Sequence, residues 1–444
     1  MDIKQLYQLY QEHPHITTDS RDCHEGSIFL ALKGEKFDGN QYAEGALQKG
    51  CSYAIVDNPE VVKDNRYILV DDTLQTYKDL AREHRRRFDI PVIAITGTNG
   101  KTTTKELVKA VLSEKYNVLA TEGNFNNDVG VPKTLFRLNN EHEIAIIEMG
   151  ASHPGDIKTL VETAEPTCGL ITNVGRAHLQ GFGSFEGVVK TKCELYDFLR
   201  TQEDSLIVIN ADNDILMDQI RDDDEFWITS YSTNVDYQDA CITGKILSCD
   251  PFLKFSWREP LAILEQEGRS TKWHKVQTQL IGAYNIDNLL AAIAIGINFD
   301  VDRKKICHAL ESYAPTNSRS QLVETKTNRL IVDAYNANPS SMMAALENFQ
   351  QIEAKKKMAI LGDMRELGET SGVEHQKIVD FIGLTNTDEV WLVGEEFGKT
   401  SCSYRRFHDV EDAKQAIAKE HPEGFTILIK GSNGTKLYQL PELL

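Results

Sequence analysis

The chain has 444 residues, 41% hydrophobic and 26% charged, with 48 Lys and Arg against 67 Asp and Glu, a formal net charge of −19. At roughly 150 residues per domain this is about three domains, enough to bury cores without metal or disulfide staples. The acidic balance excludes a protein whose main work is gripping nucleic acid, because no basic excess exists to displace phosphate counterions; a small phosphorylated ligand needs only a local positive site.

The apolar runs are short, Leu289–Ile295 being typical, and a bilayer span needs about 20 such residues, so no membrane insertion is expected. Met1–Tyr10 lacks the basic-then-apolar order of a secretory leader. The eight cysteines include no C-x-x-C pair, and scattered single cysteines fit a reducing, cytoplasmic setting.

Three blocks are expected, with boundaries at 1–88, 89–313 and 314–444. The first is a small N-terminal α/β domain with short strands at Ser27–Leu32 and Tyr53–Val56, glycine turns at Lys33-Gly34 and Asp38-Gly39, and a basic helical stretch Leu80–Phe88. The second opens on the apolar run Ile90–Ile95 and continues with strands at Ile144–Ile147, Leu170–Thr172 and Leu206–Ile209 and a helix at Asn285–Ile297. A polar break, Ala314-Pro315-Thr316-Asn317-Ser318, leads into the third. There, strands Leu330–Val332, Met358–Leu361, Val390–Val393 and Thr426–Ile429 alternate with helices such as Ser341–Ile352. Strands separated by helices imply βαβ units: an α/β fold with a central parallel mononucleotide-binding sheet and a C-terminal Rossmann-like domain.

The strongest chemical signal is Ile93-Ala-Ile-Thr-Gly-Thr-Asn-Gly-Lys-Thr-Thr-Thr104, an apolar strand running into a glycine loop and then a helix. Glycines let backbone N–H groups turn around an anion, and the helix N-terminus adds partial positive charge. Lys101 can reach the outer phosphates and the Thr102 hydroxyl can hold Mg²⁺. Ile95 stands where the first glycine of G-x-x-x-x-G-K-[ST] belongs, so the motif is a variant P-loop. The strand Ile144–Ile147 ends in Glu148, the usual place for a magnesium carboxylate beside such a loop. His178 follows the next strand, where ligands gather in open α/β sheets. Gly181-Phe-Gly-Ser-Phe-Glu-Gly187 fails as a dinucleotide fingerprint, its last glycine being one position late with no strand directly before it. The amide clusters Asn124-Phe-Asn-Asn127 and Asn336-Ala-Asn338 suit either turns or a ligand rich in donors and acceptors.

Taken together, T-G-T-N-G-K-T-T (96–103), Thr18–Arg21, Ile28–Gly34, Thr121–Pro132, Glu148–Ala151, Asn173–His178, Lys190–Glu194, Asp333–Pro339 and Leu361–Gly368 resemble the Mur ligase family. Y-N-A-N-P and L-G-D-M-x-E-L-G resemble the branch that handles a dipeptide. The resemblance implies an ATP-dependent ligase, probed by no partner other than its substrates and usually monomeric. ATP would phosphorylate the terminal carboxylate of UDP-MurNAc-tripeptide, and the amine of D-alanyl-D-alanine would attack the acyl phosphate. It further implies ATP contacts from Gly97, Thr98, Asn99, Gly100, Lys101, Thr102 and Thr103, with Asn288 at the adenine and Arg319 and Asp333 reaching the nucleotide from the third domain. Two Mg²⁺ ions would be held by Thr102, Glu148, His178 and Lys192, the lysine carried as a carbamate and chosen over Lys190 for its place two residues before Glu194. Ser20 and Arg21 would meet the uridine nucleotide. Asn126, Asn127, Tyr335, Asn336 and Asn338 would meet the rest of the substrate.

Two departures stand out: Tyr284 occupies a common histidine position, and Lys430-Gly-Ser-Asn-Gly434 lacks an arginine often found after Gly-Ser. The competing readings are a sister ligase adding one amino acid, a folylpolyglutamate synthase-like ligase, a nucleotide switch without ligation, and a protein kept for interactions with other ligases. The switch would have no need of Glu148, His178 and Lys192 together.

Overall fold

The computed structural model describes residues 1–34, 36–221, 225–237, 239–259, 272–315 and 319–444. Part of the expected polar break, Thr316-Asn317-Ser318, lies outside the described residues. The chain is α/β throughout and groups into two units. The first comprises Met1–Ala94, Asn117–Gly150 and Asp156–Thr167, and the second Ile95–Tyr116, Ala151–Gly155 and Cys168–Leu444. No helix among the described residues is long and apolar enough to cross a membrane.

In the first unit, strands Ile16–Thr17, Ile28–Leu30, Tyr53–Val56 and Tyr67–Leu69 form a parallel sheet in that order. Successive residues of a strand point to opposite faces. Ile28, Leu30 and Ile55 therefore join Leu6, Tyr7, Tyr10, Tyr77 and Leu80 on one side, while Phe29, Ala31, Ala54 and Val56 meet Ala43, Ala46 and Leu47 on the other. Burial on both faces is why these strands are unbroken apolar runs. The expected glycine turns belong to a two-stranded antiparallel ribbon, Lys33–Gly34 against Phe37–Asp38. The basic stretch is the end of a longer helix, Thr73–Arg85, started by the Asp72 side chain accepting from Gln75 N–H. Its His84 is buried between the Tyr7 hydroxyl and the Leu138 carbonyl.

In the second unit, strands Cys168–Ile171, Leu206–Asn210, Trp227–Ser232 and Ile242–Cys249 run parallel. The expectation of a parallel central sheet fails beyond this point: Phe252–Arg258 and His274–Ile281 pair antiparallel. For the first of these strands the physical reason is the connection, because the two residues Asp250-Pro251 can only close a hairpin, whereas a parallel neighbour needs a crossover of a dozen or more residues. The helix Asn285–Asn298, apolar on nearly every side, packs against this sheet and against the helix Lys101–Leu112.

The C-terminal sheet has the order Gln321–Glu324, Arg329–Asp333, Thr426–Lys430, Lys357–Gly362, Glu389–Val393, Arg405–Phe407. Its first pair is antiparallel and the rest are parallel. Helices Pro339–Gln351 and Ser371–Ile382 cover one face and Val410–Glu420 the other, the doubly wound arrangement expected. Parallel strands end together, so Asp333, Lys430, Gly362 and Val393 share one edge, where ligands bind in such sheets. The first of these helices starts two residues earlier than its apolar pattern, because Asn338 caps it and Pro339 fits the first helical position.

Candidate functional site

The strand Val92–Thr96 is wholly buried and delivers the glycine loop. Gly97 has φ +142 and Gly100 φ +80, backbone shapes that L side chains rarely adopt. A Cβ at Gly97 would lie 2.0 Å from Thr172 Oγ1, and one at Gly100 2.5 Å from Asn288 Oδ1. Gly100 is the N-cap of the helix Lys101–Leu112 and brings no side chain to its first turn, and a helix N-terminus is where backbone N–H groups and partial positive charge meet an anion.

The loop is fixed from outside by the segment after Cys168–Ile171. Thr172 Oγ1 and Asn173 Nδ2 donate to the Asn99 carbonyl at 2.6 and 3.0 Å, and Asn173 Oδ1 accepts from Asn99 N–H at 3.0 Å. Thr98 N–H donates to the Asn173 carbonyl at 2.9 Å, and Thr98 Oγ1 accepts from Gly175 N–H at 2.9 Å. Lys101 Nζ donates to the carbonyls of Gly97 and Thr98 at 2.7 and 3.1 Å, which sets its ammonium across the loop. Thr102 is buried and Thr103 half-buried.

Behind the loop, Thr104 Oγ1 donates to Asn288 Oδ1 at 3.0 Å, and Asn288 Nδ2 donates to Asn285 Oδ1 at 2.9 Å. Asn288 is thus brought to the loop, with its amide engaged by protein groups there. Tyr284, at the start of the same helix, shares a hydrogen bond with Ser320 Oγ at 2.8 Å. The Arg319 guanidinium lies 3.9 Å from the centre of the Tyr335 ring, and its buried Nε has no hydrogen-bond partner among the described residues. An unsatisfied buried guanidinium N–H is costly, and a nucleotide's anionic groups are the chemistry that would satisfy it.

The C-terminal sheet meets the loop directly. Asn338 Nδ2 donates to Asn99 Oδ1 at 2.7 Å, and Asn99 Nδ2 donates to Ser340 Oγ at 3.1 Å. Asn338 Oδ1 meanwhile caps its own helix through Ser341 N–H at 2.9 Å, so this one amide both starts a helix and contacts the loop. Asn336 is exposed and its Oδ1 accepts from Ala337 N–H. Asp333 bonds Lys430, which is 2% exposed; sequence reading missed this lysine, although a cation ending a buried strand is a signal in itself.

His178 has φ 51 and precedes the short helix Leu179–Phe182. Its Nδ1 lies against Glu366 Oε2, and His178 holds the Glu366 carboxyl below the usual carboxylate range. The Phe182 ring meets His178 edge-on at 6.3 Å and sits 5.6 Å from Lys192 Nζ, so one aromatic side chain lies against two of the expected magnesium residues. Lys192 is 2% exposed while Lys190 is exposed, a second difference between the two lysines beside their spacing to Glu194. Glu194, two residues on, accepts from Gly155 N–H at 2.8 Å.

In the first unit, Glu148 ends the buried strand Ile144–Glu148 and is 1% exposed. Asn126 Nδ2 donates to its Oε1 at 2.9 Å, and Glu148 N–H donates to Thr121 Oγ1 at 3.0 Å. Asn126 thereby positions the carboxylate, and Asn127 Oδ1 accepts from Gly130 N–H at the start of the helix Gly130–Leu135. Arg21 is paired with Asp19 at 2.7 Å, holding that exposed carboxyl at about 2, and the Ser20 carbonyl accepts from Lys49 Nζ at 2.6 Å.

Among the described residues no three His, Cys, Asp or Glu side chains converge as a metal cage. Magnesium does not require one, since it binds through one or two carboxylates with water and substrate phosphates supplying the rest. The Thr102 hydroxyl in the second unit and the Glu148 carboxylate in the first are each oxygen donors of that kind.

Three family profiles match the chain: "Mur ligase family, catalytic domain" over residues 13–91, "Mur ligase middle domain" over 95–296 and "Mur ligase, glutamate ligase domain" over 318–433. The UDP-N-acetylmuramoyl-tripeptide–D-alanyl-D-alanine ligase of Bacillus subtilis is 32% identical, covering 96% of this chain and 92% of the relative. The enzyme of the same name from Escherichia coli is also 32% identical, over 97% and 93%. A MurF crystal structure from Acinetobacter baumannii superposes with a TM-score of 0.86 at 28% identity, covering 99% of this chain and 97% of that one. MurF of Thermotoga maritima in complex with ADP gives 0.84 at 26% identity, over 97% and 96%. The chain belongs to the Mur ligase family, on its MurF branch.

Proposed function

We propose that this protein joins D-alanyl-D-alanine to UDP-MurNAc-tripeptide at the expense of ATP, giving UDP-MurNAc-pentapeptide for peptidoglycan, and that it works as a monomer in the cytoplasm, where its nucleotide is. The observation that carries this reading is the pair of hydrogen bonds at Asn99 of the phosphate loop, which accepts from Asn338 of the Y-N-A-N-P segment and donates to Ser340 just after it. A nucleotide switch has no use for that junction, whereas a ligase must bring a phosphate donor and an acceptor together. The domain reading of 1–88, 89–313 and 314–444 is supported by the three profile matches, which follow one another as 13–91, 95–296 and 318–433 and change over within a few residues of those bounds at the first junction.

The chemistry proceeds in two displacements. The tripeptide carboxylate attacks the γ-phosphorus and ADP leaves, forming an acyl phosphate. The dipeptide amine then attacks the acyl carbon, and the tetrahedral adduct expels phosphate as the amine loses its proton. Carboxylate and triphosphate repel each other, so the first step needs positive charge between them. Lys101 and the N-terminus of its helix supply that charge from the protein, with Thr98, Asn99 and Thr103 shaping the loop. Thr102, Glu148, His178 and a carbamylated Lys192 would hold Mg²⁺, which supplies further charge neutralisation at the phosphates. Carbamylation is supported by the burial of Lys192, because conversion to an anion turns a cation that would repel magnesium into a group that helps hold it. Arg319 and Asp333 act on the nucleotide and Tyr335 and Asn336 on the acceptor side. Ser20, Arg21, Asn126 and Asn127 act on the UDP-muramoyl end. The acyl phosphate hydrolyses in water, so docking of the C-terminal sheet onto the loop protects it.

The test is phosphate release from ATP and Mg²⁺ with UDP-MurNAc-tripeptide, with and without D-alanyl-D-alanine, and mass spectrometry of the product. Dipeptide-dependent release with a pentapeptide product is expected. Dependence on a single amino acid, or nucleotide binding without turnover, overturns the assignment.

A further inference from the structure

Glu366 belongs to none of the roles above, yet it makes the one side-chain contact recorded for His178 Nδ1 among the described residues. The loop that carries it is clamped residue by residue. Asp363 accepts from the N–H groups of Glu396 and Phe397 at 3.0 and 2.9 Å. Met364 N–H donates to His375 Nε2 at 3.0 Å, and Arg365 N–H donates to Ser432 Oγ at 3.1 Å. Glu366 follows with φ 66, in the left-handed region, as does His178 with φ 51. Two residues on, a Cβ at Gly368 would rest 3.6 Å from Gln180 Cβ, so the two segments are in van der Waals contact beyond the ion pair.

A purely structural salt bridge does not account for this arrangement. The side chains are 33% and 62% exposed, and an ion pair that open to water adds little to stability. Holding two non-glycine residues in left-handed backbone is a cost that persists only where the surroundings impose it, and such residues concentrate at functional sites.

The chemistry of the contact gives a more specific answer. A carboxylate can only accept hydrogen bonds, and a neutral imidazole has one N–H and one lone pair. With Glu366 against Nδ1, the proton sits on Nδ1 and the lone pair is left on Nε2. A carboxylate behind a histidine fixes tautomer and ring orientation in just this way when the other nitrogen binds a metal. The edge of Phe182 restrains the ring further. We propose that Glu366 is a positioning residue that keeps His178 in the Nδ1–H tautomer, with Nε2 presented to Mg²⁺. The proposal rests on the reading of His178 as a magnesium ligand. Its consequence is that the C-terminal sheet supplies the residue that orients His178.

The test uses the full-length protein with isotope-labelled histidines, observed by nitrogen–proton correlation NMR, with the His178 ring assigned by its loss in His178→Gln. Wild type is expected to show the Nδ1–H tautomer. Glu366→Ala is expected to move His178 to the Nε2–H form and to raise the Mg²⁺ concentration for half-maximal turnover about 10-fold or more, with the KM for dipeptide unchanged. Glu366→Gln keeps an acceptor oxygen in place and is expected to restore the Nδ1–H form, which guards against a folding artefact. An unchanged tautomer in Glu366→Ala, with a ring that responds to Mg²⁺ and ADP, overturns the role of Glu366 alone. A tautomer that does change, on a ring that never responds to Mg²⁺ and ADP, overturns the metal reading of His178 and with it the purpose given to Glu366.

Discussion

Asn338 uses the two ends of one amide for two tasks: its Oδ1 starts the helix Pro339–Gln351, and its Nδ2 donates to Asn99 Oδ1 in the phosphate loop at 2.7 Å. Substitution can separate the tasks. Asn338→Asp keeps the capping oxygen but faces Asn99 Oδ1 with a second acceptor, so turnover is expected to fall about tenfold or more with little change in Tm. Asn338→Ala loses the cap as well, costing about 1 kcal/mol, or roughly 2–4 °C. Steady-state kinetics beside thermal unfolding checks both; equal loss of Tm in the two variants would contradict the split.

Lys101→Ala removes the ammonium that lies across Gly97 and Thr98. Turnover is expected to drop by at least about 10²-fold, the scale of losing one preorganised charge-stabilising donor. Gly100→Ala is expected to abolish nucleotide binding through both its φ of +80 and the 2.5 Å approach to Asn288 Oδ1. Calorimetric titration with ADP and Mg²⁺ reads the second effect; near-normal affinity would sink the loop assignment.

Lys192→Ala is expected to be inactive and partly recovered by added short-chain carboxylic acids, which can occupy the space of a carbamate. Lys190→Ala, an exposed neighbour, is expected to behave as wild type. Activity of Lys192→Ala equal to wild type rules the carbamate out.

Lys430 and Asp333 are register partners at the ends of adjacent strands, and the lysine is 2% exposed. Removing one member of a buried pair leaves an uncompensated charge and costs about 3–5 kcal/mol. Lys430→Met is therefore expected to be strongly destabilised, and Lys430→Met with Asp333→Asn less so. Chemical denaturation of the two variants measures the difference; a double variant no more stable than Lys430→Met would mean the pair is not energetically coupled.

Burial, and then the carboxylate of Asp212, raise Asp287 from 3.8 to about 6. A carboxyl with a raised folded value binds more protons folded than unfolded between those limits, so stability is expected to fall as pH climbs from about 4 to about 6. Above pH 6 the charged form is present and the penalty is complete. Asp287→Asn is expected to raise stability at pH 7–8 by about 1 kcal/mol or more and to flatten that part of the profile. Tm measured from pH 4 to 8 decides it.

Much of this was legible in sequence for physical reasons that are local. A buried strand between crossover helices is an unbroken apolar run, so Tyr53–Val56, Ile144–Glu148 and Thr426–Lys430 fall within a residue or so of their expected positions. The glycine loop was legible because its backbone shape demands particular residues at fixed spacing. The strands Ile242–Cys249, Phe252–Arg258 and His274–Ile281 went unread. Their buried and exposed residues alternate or mix, and lines such as Lys254 and Lys275 look like solvated surface. Long-range pairings were equally hidden. Glu366 against His178 and Lys430 against Asp333 join residues from distant parts of the chain, and only the fold supplies those distances. Asn127 and Asn336 show the opposite case, where amides suited to a ligand also serve the backbone beside them.

The first unit is assembled from three separate stretches, the last ending at Thr167. During synthesis its opening sheet can emerge early, but the helices Gly130–Leu135 and Asp156–Ala164, which pack on Thr73–Arg85, do not yet exist. At about 5–20 residues per second, the nascent chain spends several seconds with the apolar side of Thr73–Arg85 lacking those two helices. A release or pause before Thr167 therefore leaves a sticky, unfinished fragment.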